Sequence, residues 1–182
     1  MTRDTAPLLF TLGHSNHAAE PFLALLRTHG IGCVADVRSR PYSRWPQFGR
    51  ERLATLLAGA GVDYVWLGEQ LGGRPAEPAL LAADGTPDYA AIARAPGFQA
   101  GLAVLRERLD GPRPVTVLCS EGDPLRCHRE HLIARALRPL GVTVRHILRD
   151  GTLAAPPDGE GHPAADGGAT SGGAPGQLKL DL

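Results

Sequence analysis

Lysine is almost missing from this chain. Lys179 is the only one among 182 residues, so arginine carries nearly all the positive charge. Arginine binds phosphate or carboxylate as a bidentate fork, which lysine cannot do. There is no net charge either: 19 basic residues balance 19 acidic ones. That excludes a global basic signal for nucleic acid and leaves only local ones. The three cysteines, Cys33, Cys119 and Cys127, are odd in number and form no Cys-x-x-Cys pair. A disulfide framework is thereby excluded, and with no signal-peptide pattern the expected location is cytoplasmic. No stretch approaches the ~18 uninterrupted apolar residues of a membrane span. No internal repeat is visible.

The remaining pattern alternates strands with helices. Leu8 to Leu12 reads as a first apolar strand, followed by a helix carrying Phe22, Leu23, Leu25 and Leu26. Ile31 to Val37 is the second strand. A loop with two prolines follows, then a helix from Arg50 to Ala60 and a third strand from Val62 to Leu67. Gly68 to Pro87 is rich in Gly and Pro and reads as an excursion. Helices at Tyr89–Ala95 and Phe98–Leu109, a strand from Val115, a helix to Gly141 and a strand from Val142 to Leu148 complete the body. Such alternation predicts an α/β fold: a mostly parallel sheet of about five strands with helices on both faces. The expected organisation is one domain over 1–150, a flexible linker over 151–176 and a terminal peptide over 177–182. Eighteen of the 26 linker residues are Gly, Ala or Pro, too little apolar bulk to build a core.

The stretch from Val115 to Leu137 organises the reading. An apolar run ends in Cys119, a loop carries Glu121 and Asp123, and helical spacing is expected from about Leu125. Arg126, Cys127, His128 and Arg129 then fall in the first helical turn. In open α/β sheets, ligands bind at the carboxyl ends of strands beside helix N-termini. The other strands end comparably, with His14 and Ser15 after the first and Asp36 and Arg38 at the second. In a parallel sheet all of these share one edge. The candidate catalytic residues are therefore Glu121, His128, Cys127 and Cys119, and the candidate substrate-binding residues here are His14, Ser15, Asp36, Arg38, Arg126 and Arg129. Glu121 and His128 suit general acid–base work, with the arginines holding an anion. A cysteine between arginines near a helix start suits a nucleophile, although buried cysteines also serve as plain core residues.

Two sharper readings fail on spacing. A phosphate cradle needs a strand-end cysteine, five loop residues and then arginine. Six residues separate Cys119 from Arg126, and two of them are acidic. A zinc set of Cys119, Cys127 and His131 or His128 lacks a Cys-x-x-Cys pair, so no metal ligands are assigned and the cofactor stays unknown. Metal-assisted hydrolysis through Asp36 and Glu121 remains a variant of the acid–base scheme.

Arg38, Arg40, Arg44, Arg50 and Arg52 lie within fifteen residues, interleaved with Tyr42, Trp45 and Phe48. Arginines place phosphates and aromatic rings stack on bases, so this is a local nucleic-acid signature. Arg40 and Arg44 join the candidate substrate-binding residues on this ground.

Five linked motifs, taken together, resemble a known family. They are Thr11-Leu12-Gly13-His14-Ser15, then Asp36-Val37-Arg38 with Pro41 and Ser43-Arg44. Tyr64 with Leu67-Gly68, Leu71-Gly72-Gly73-Arg74, and Cys119, Glu121, Cys127, His128 and Arg129 complete the set. Over about residues 8–150 they look like the domain of unknown function 488 family. The resemblance implies an α/β domain and an enzyme, and it supplies no substrate. The end of the chain is similar to a different thing, the peptide by which bacterial replication and repair proteins hold the DNA sliding clamp. Gln177, Leu178, Leu180 and Leu182 have its Gln-Leu-x-Leu-x-Leu form, without the phenylalanine that many such peptides carry. An extended peptide of this kind would set its leucines into an apolar groove.

The expectation is an enzyme, with a hydrolase using Glu/His acid–base chemistry as the reaction class considered, acting on nucleic acid or another phosphate-bearing or anionic substrate and brought to DNA repair or replication by its tail. The alternatives are a non-catalytic nucleic-acid-binding adaptor and a small-molecule anion enzyme unrelated to DNA. The expected partners are nucleic acid and the sliding clamp, with no membrane.

Overall fold

The computed structural model describes residues 6–155, so most of the 151–176 stretch and the whole 177–182 peptide lie outside the described residues. The strands are β1 (Leu8–Gly13), β2 (Cys33–Asp36), β3 (Asp63–Trp66), β4 (Val115–Cys119), β5 (Thr143–Ile147) and β6 (Leu153–Ala154). They form one sheet in the order β3-β2-β4-β1-β5-β6. The first five are parallel, and β6 pairs antiparallel with β5. The helices are α1 (Ala19–Thr28), α2 (Arg50–Gly59), α3 (Gly68–Leu71), α4 (Tyr89–Arg94), α5 (Pro96–Leu109) and α6 (Arg135–Leu137). No helix among the described residues is long and apolar enough to cross a membrane.

Alternating strand residues point to opposite faces, and each face carries its own core. Phe10, Leu12, Val34 and Leu118 pack with Phe22 and Leu26 of α1 and Leu53 and Leu57 of α2. Leu9, Ala35, Val115 and Val117 pack on the other face with Leu71, Ile92, Phe98, Leu102, Leu105 and Leu132. A sheet covered on both sides needs strands apolar on both sides, which is why β2 is buried throughout. The chain leaves β1 for α1 on one face and leaves β4 for α6 on the other. The crevice between these adjacent strands is a topological switch point, where open α/β sheets bind ligands. Register brings Gly13 beside Cys119 and Asp36 beside both Leu118 and Trp66.

Two local features depart from the expectation. The helix predicted from Leu125 is broken. Asp123 caps a single tight turn, Pro124–Arg126, by accepting the Leu125 N–H at 2.9 Å, and Cys127 is extended at φ −128° and ψ 146°. Helical coiling resumes only with a π-helical turn, Arg129–Ala134, that runs into α6. Leu125 consequently lies 49% exposed instead of in the core. The sheet also continues past residue 150. Gly151 adopts φ +86°, Asp150 accepts the Thr152 N–H at 2.9 Å, and the chain turns back as β6.

Gly13 sits where the two diverging loops meet. A β-carbon there would lie 1.9 Å from the Glu121 carbonyl oxygen, whereas one at Gly59, the last residue of α2, meets nothing within 4 Å. Gly13→Ala is expected to lower stability by about 1–3 kcal/mol, and Gly59→Ala to raise it by about 0.5–1 kcal/mol. Urea unfolding checks both. Equal effects would contradict the close approach at the crevice.

Candidate active site

The end of β2 carries the densest polar network. Asp36 is fully buried and Arg38 is 3% exposed. Arg38 donates from Nε to Asp36 Oδ1 at 2.8 Å and from Nη2 to Oδ2 at 2.5 Å, a bidentate pair. The Tyr64 hydroxyl donates to Oδ2 at 2.8 Å. Burial first, and then the Asp36 charge, push the Tyr64 pKa upward. The third Arg38 nitrogen, Nη1, donates to the Phe48 carbonyl at 2.7 Å and reaches His14 Nε2 at 3.3 Å. Because Nη1 can only donate, His14 Nε2 accepts, and its Nδ1–H donates to the Ser15 carbonyl at 3.0 Å. The neutral imidazole stacks on Phe48 with ring centroids 4.2 Å apart.

The bend after β4 holds two thiols, an imidazole and a guanidinium. Cys119 is half-buried, and Cys127, His128 and Arg129 are buried. His128 Nε2 lies 3.1 Å from the Val37 carbonyl, an obligate acceptor, so Nε2 carries the proton. His128 Nδ1 faces two sulfurs, Cys127 Sγ at 3.6 Å and Cys119 Sγ at 3.9 Å. Arg129 donates from Nε to Cys127 Sγ at 3.3 Å and from Nη2 to the Glu121 carbonyl at 2.5 Å. The thiols titrate as a pair. Cys119 keeps the proton, raised by its hydrogen bond to Cys127 and by burial. Cys127 is lowered by that same hydrogen bond, which with His128 and Arg129 outweighs its burial. Gly73 allows the α3 loop to close over the imidazole, since a β-carbon there would lie 2.6 Å from the ring.

The π-helical turn that presents Arg129 is anchored from behind. Glu130 Oε2 accepts from His146 Nε2 at 3.0 Å and from Arg138 Nη2 at 2.5 Å. Burial alone would raise the Glu130 carboxyl, but these hydrogen bonds and charges hold it at about 2. Thr11 Oγ1 completes the chain, 2.7 Å from His146 Nδ1. This hydroxyl–imidazole–carboxylate array resembles a hydrolytic triad in its groups only. Thr11 is fully buried mid-strand. The array therefore clamps β1, β5 and the turn together.

Most of the predicted residues do meet at this edge, in three different settings. His14, Asp36, Arg38, Cys127, His128 and Arg129 form the buried floor. Ser15, at φ +45°, and the exposed Glu121 and Arg126 sit on the loops above it. The Glu121 carboxylate accepts the Asp123 N–H at 3.1 Å, so it braces its own loop. Both Asp36 oxygens are taken by Arg38 and Tyr64, which leaves that carboxylate none to offer a metal. Arg40 and Arg44 are exposed on the following loop, where Tyr42 is 80% exposed. Guanidinium groups cover two indoles there, Arg44 over Trp45 at 5.4 Å and Arg50 over Trp66 at 4.3 Å. A cleft of about 470 Å³ opens beside the floor, lined by Ser15, His17, Glu121, Asp123 and Arg149. Residues that sequence reasoning missed include Tyr64 and Phe48 as network members, Val37 through its carbonyl, and His17, whose buried Nε2 has no hydrogen-bond partner.

Burial first, and then the Arg38 charge, lower the His14 pKa from 6.5 to about 4. The unfolded chain therefore takes up this proton first as pH falls. Stability should drop between pH 6.5 and about 4, by on the order of 3 kcal/mol from this group. In His14→Gln that part of the slope should vanish. Urea unfolding of both proteins across this range checks it, and parallel profiles would contradict it.

Comparison with curated proteins and with solved structures gives no match. The family profile described as Domain of unknown function DUF488 matches residues 18–136, which spans α1 through the π-helical turn and every part of the floor except His14. The chain is a member of that family.

Proposed function

We propose that this protein is an enzyme acting on nucleic acid or another phosphate-bearing substrate. The chemistry falls to Cys119, Cys127 and His128 beside Arg129. The loop after β2 holds the polyanion. One observation carries the reading: an exposed loop of arginines and aromatic rings leads directly out of the buried reactive floor. Arg40, Arg44 and Arg50 are exposed there with Tyr42, and two indoles lie beneath guanidinium groups. Such surfaces grip phosphates and stack bases with little sequence preference. Arg38 has a different part, since Asp36, Phe48 and His14 occupy its donors. It supplies fixed positive charge beneath the rim. Of the two acid–base candidates, His128 is tied to the sulfurs and Glu121 to its own loop, which favours sulfur and imidazole chemistry over a Glu121–His128 relay.

A second reading, an enzyme for a small anion, draws on the cleft beside β5. His17 Nε2 is buried there without a partner, next to Arg149. The 177–182 peptide is a separate proposal that rests on sequence alone: Gln177, Leu178, Leu180 and Leu182 would dock on a bacterial sliding clamp.

A labelled single-stranded oligonucleotide, followed by fluorescence anisotropy across a salt series, tests the first reading. The chain should bind at low salt. Arg40→Ala with Arg44→Ala should weaken binding about tenfold and flatten the salt slope by about 1–2. Tyr42→Ala should cost about 1–3 kcal/mol. Absence of binding, or binding indifferent to these changes, would contradict the reading. Deleting 177–182 should abolish capture by purified clamp and leave oligonucleotide binding intact.

A further inference from the structure

We propose that Cys119, Cys127 and His128 form a binding site for a thiophilic divalent metal ion, zinc above all. The ligands are two sulfurs and the imidazole Nδ1, with the fourth position left open. Among the described residues these three side chains gather their donor atoms within 4.8 Å of one another. Tetrahedral zinc, with Zn–S near ~2.3 Å and Zn–N near ~2.0–2.1 Å, sets each sulfur about 3.6 Å from the nitrogen. The observed separations are 3.6 Å for Cys127 and 3.9 Å for Cys119. The donors therefore stand close to ligating geometry without rearrangement of the backbone.

The second argument is the imidazole itself. A ligating histidine typically gives its other N–H to a carbonyl or carboxylate, which fixes both tautomer and ring plane. His128 does so toward the Val37 carbonyl at 3.1 Å. The ring is further confined by Gly73, where any β-carbon would collide with it. A hydrogen-bonding role alone would not require both sulfurs on the same nitrogen. Both cysteines are unbridged.

Charge indicates what the fourth position takes. Two thiolates neutralise a divalent ion, and Arg129, 3.3 Å from Cys127 Sγ, adds a positive charge beside them. An oxygen ligand with negative charge, from water or from a phosphate or carboxylate substrate, is therefore favoured. Three protein ligands with one open position is the arrangement of catalytic zinc rather than structural zinc. This role for the open position rests on the reading of the rim as the reactive site. Binding of the metal does not.

The test uses the full chain without an affinity tag, purified under reductant, loaded with zinc and passed through gel filtration. Elemental analysis should find about one zinc per chain, falling below about a tenth in Cys119→Ser, Cys127→Ser and His128→Gln. Cobalt loading should give the intense visible bands of a tetrahedral site together with a sulfur-to-cobalt charge-transfer band. The cobalt spectrum of the unsubstituted chain decides alone if the variants do not fold. A wild-type chain that retains no zinc, metal held equally by all three variants, a cobalt spectrum without sulfur character, or a native Cys119–Cys127 disulfide would each overturn the proposal. Oligonucleotide binding measured on chelator-treated protein is independent of these results, so failure of one reading is distinguishable from failure of the other.

Discussion

The buried pair of Asp36 and Arg38 at the end of β2 is the constraint on which the rest of this edge depends. Charges this deep lose most of their hydration, and their attraction offsets that loss only when every donor and acceptor is matched. Here the matching is close to complete. Asp36 holds Arg38 through both oxygens and takes the Tyr64 hydroxyl, and Arg38 spends its last nitrogen on Phe48 and His14. Removing either partner would strand a charge and cost about 3–5 kcal/mol. The pair also fixes the backbone between them. The Val37 carbonyl is thereby set to receive His128, and the Arg38 carbonyl receives Trp66 Nε1 at 3.0 Å. One short segment thus orients the imidazole at the bend and the aromatic platform beside it.

A second anchor acts from the opposite side. Glu130, His146, Arg138 and Thr11 tie the π-helical turn to β1 and β5. A π-helical turn is a costly departure from regular coiling and tends to occur at functional sites. In this chain it follows immediately after His128, so its placement governs where Arg129 meets Cys127 and the Glu121 carbonyl. The bend is therefore held between two buried ionic networks, while its loops above remain exposed. Buried support beneath and exposed polar groups above give this edge a fixed floor under an accessible rim.

Much of this was legible in the residues. The alternation of apolar runs with helical spacing specified the parallel sheet, and placing His14, Asp36 and Cys119 at strand ends brought them to one edge. What the pattern hid depended on three-dimensional pairing. Tyr64 alternates like any strand residue, and only β2–β3 register places its hydroxyl near Asp36. Leu125 fits helical periodicity, yet Pro124 and the Asp123 cap impose a separate turn. The Asp150-Gly151 pair is a hairpin signal, obscured by the Gly-, Ala- and Pro-rich composition that follows. Arg38 looked like a substrate clamp because its type and position fit one, and its burial against Asp36 gives it a structural part. The gathering of Cys119, Cys127 and His128 escaped spacing rules because the three side chains come from a strand end and the far side of a loop, not from a short paired motif.

The central claim is that the end of β2 holds His128 by its Nε2–H so that Nδ1 faces both sulfurs. Long-range proton–nitrogen correlation of the His128 ring in the metal-free protein measures this directly. The expected result is a protonated Nε2. An Nε2 without its proton would mean that the Val37 carbonyl does not orient the ring, and the account of this edge as a built centre would fail with it.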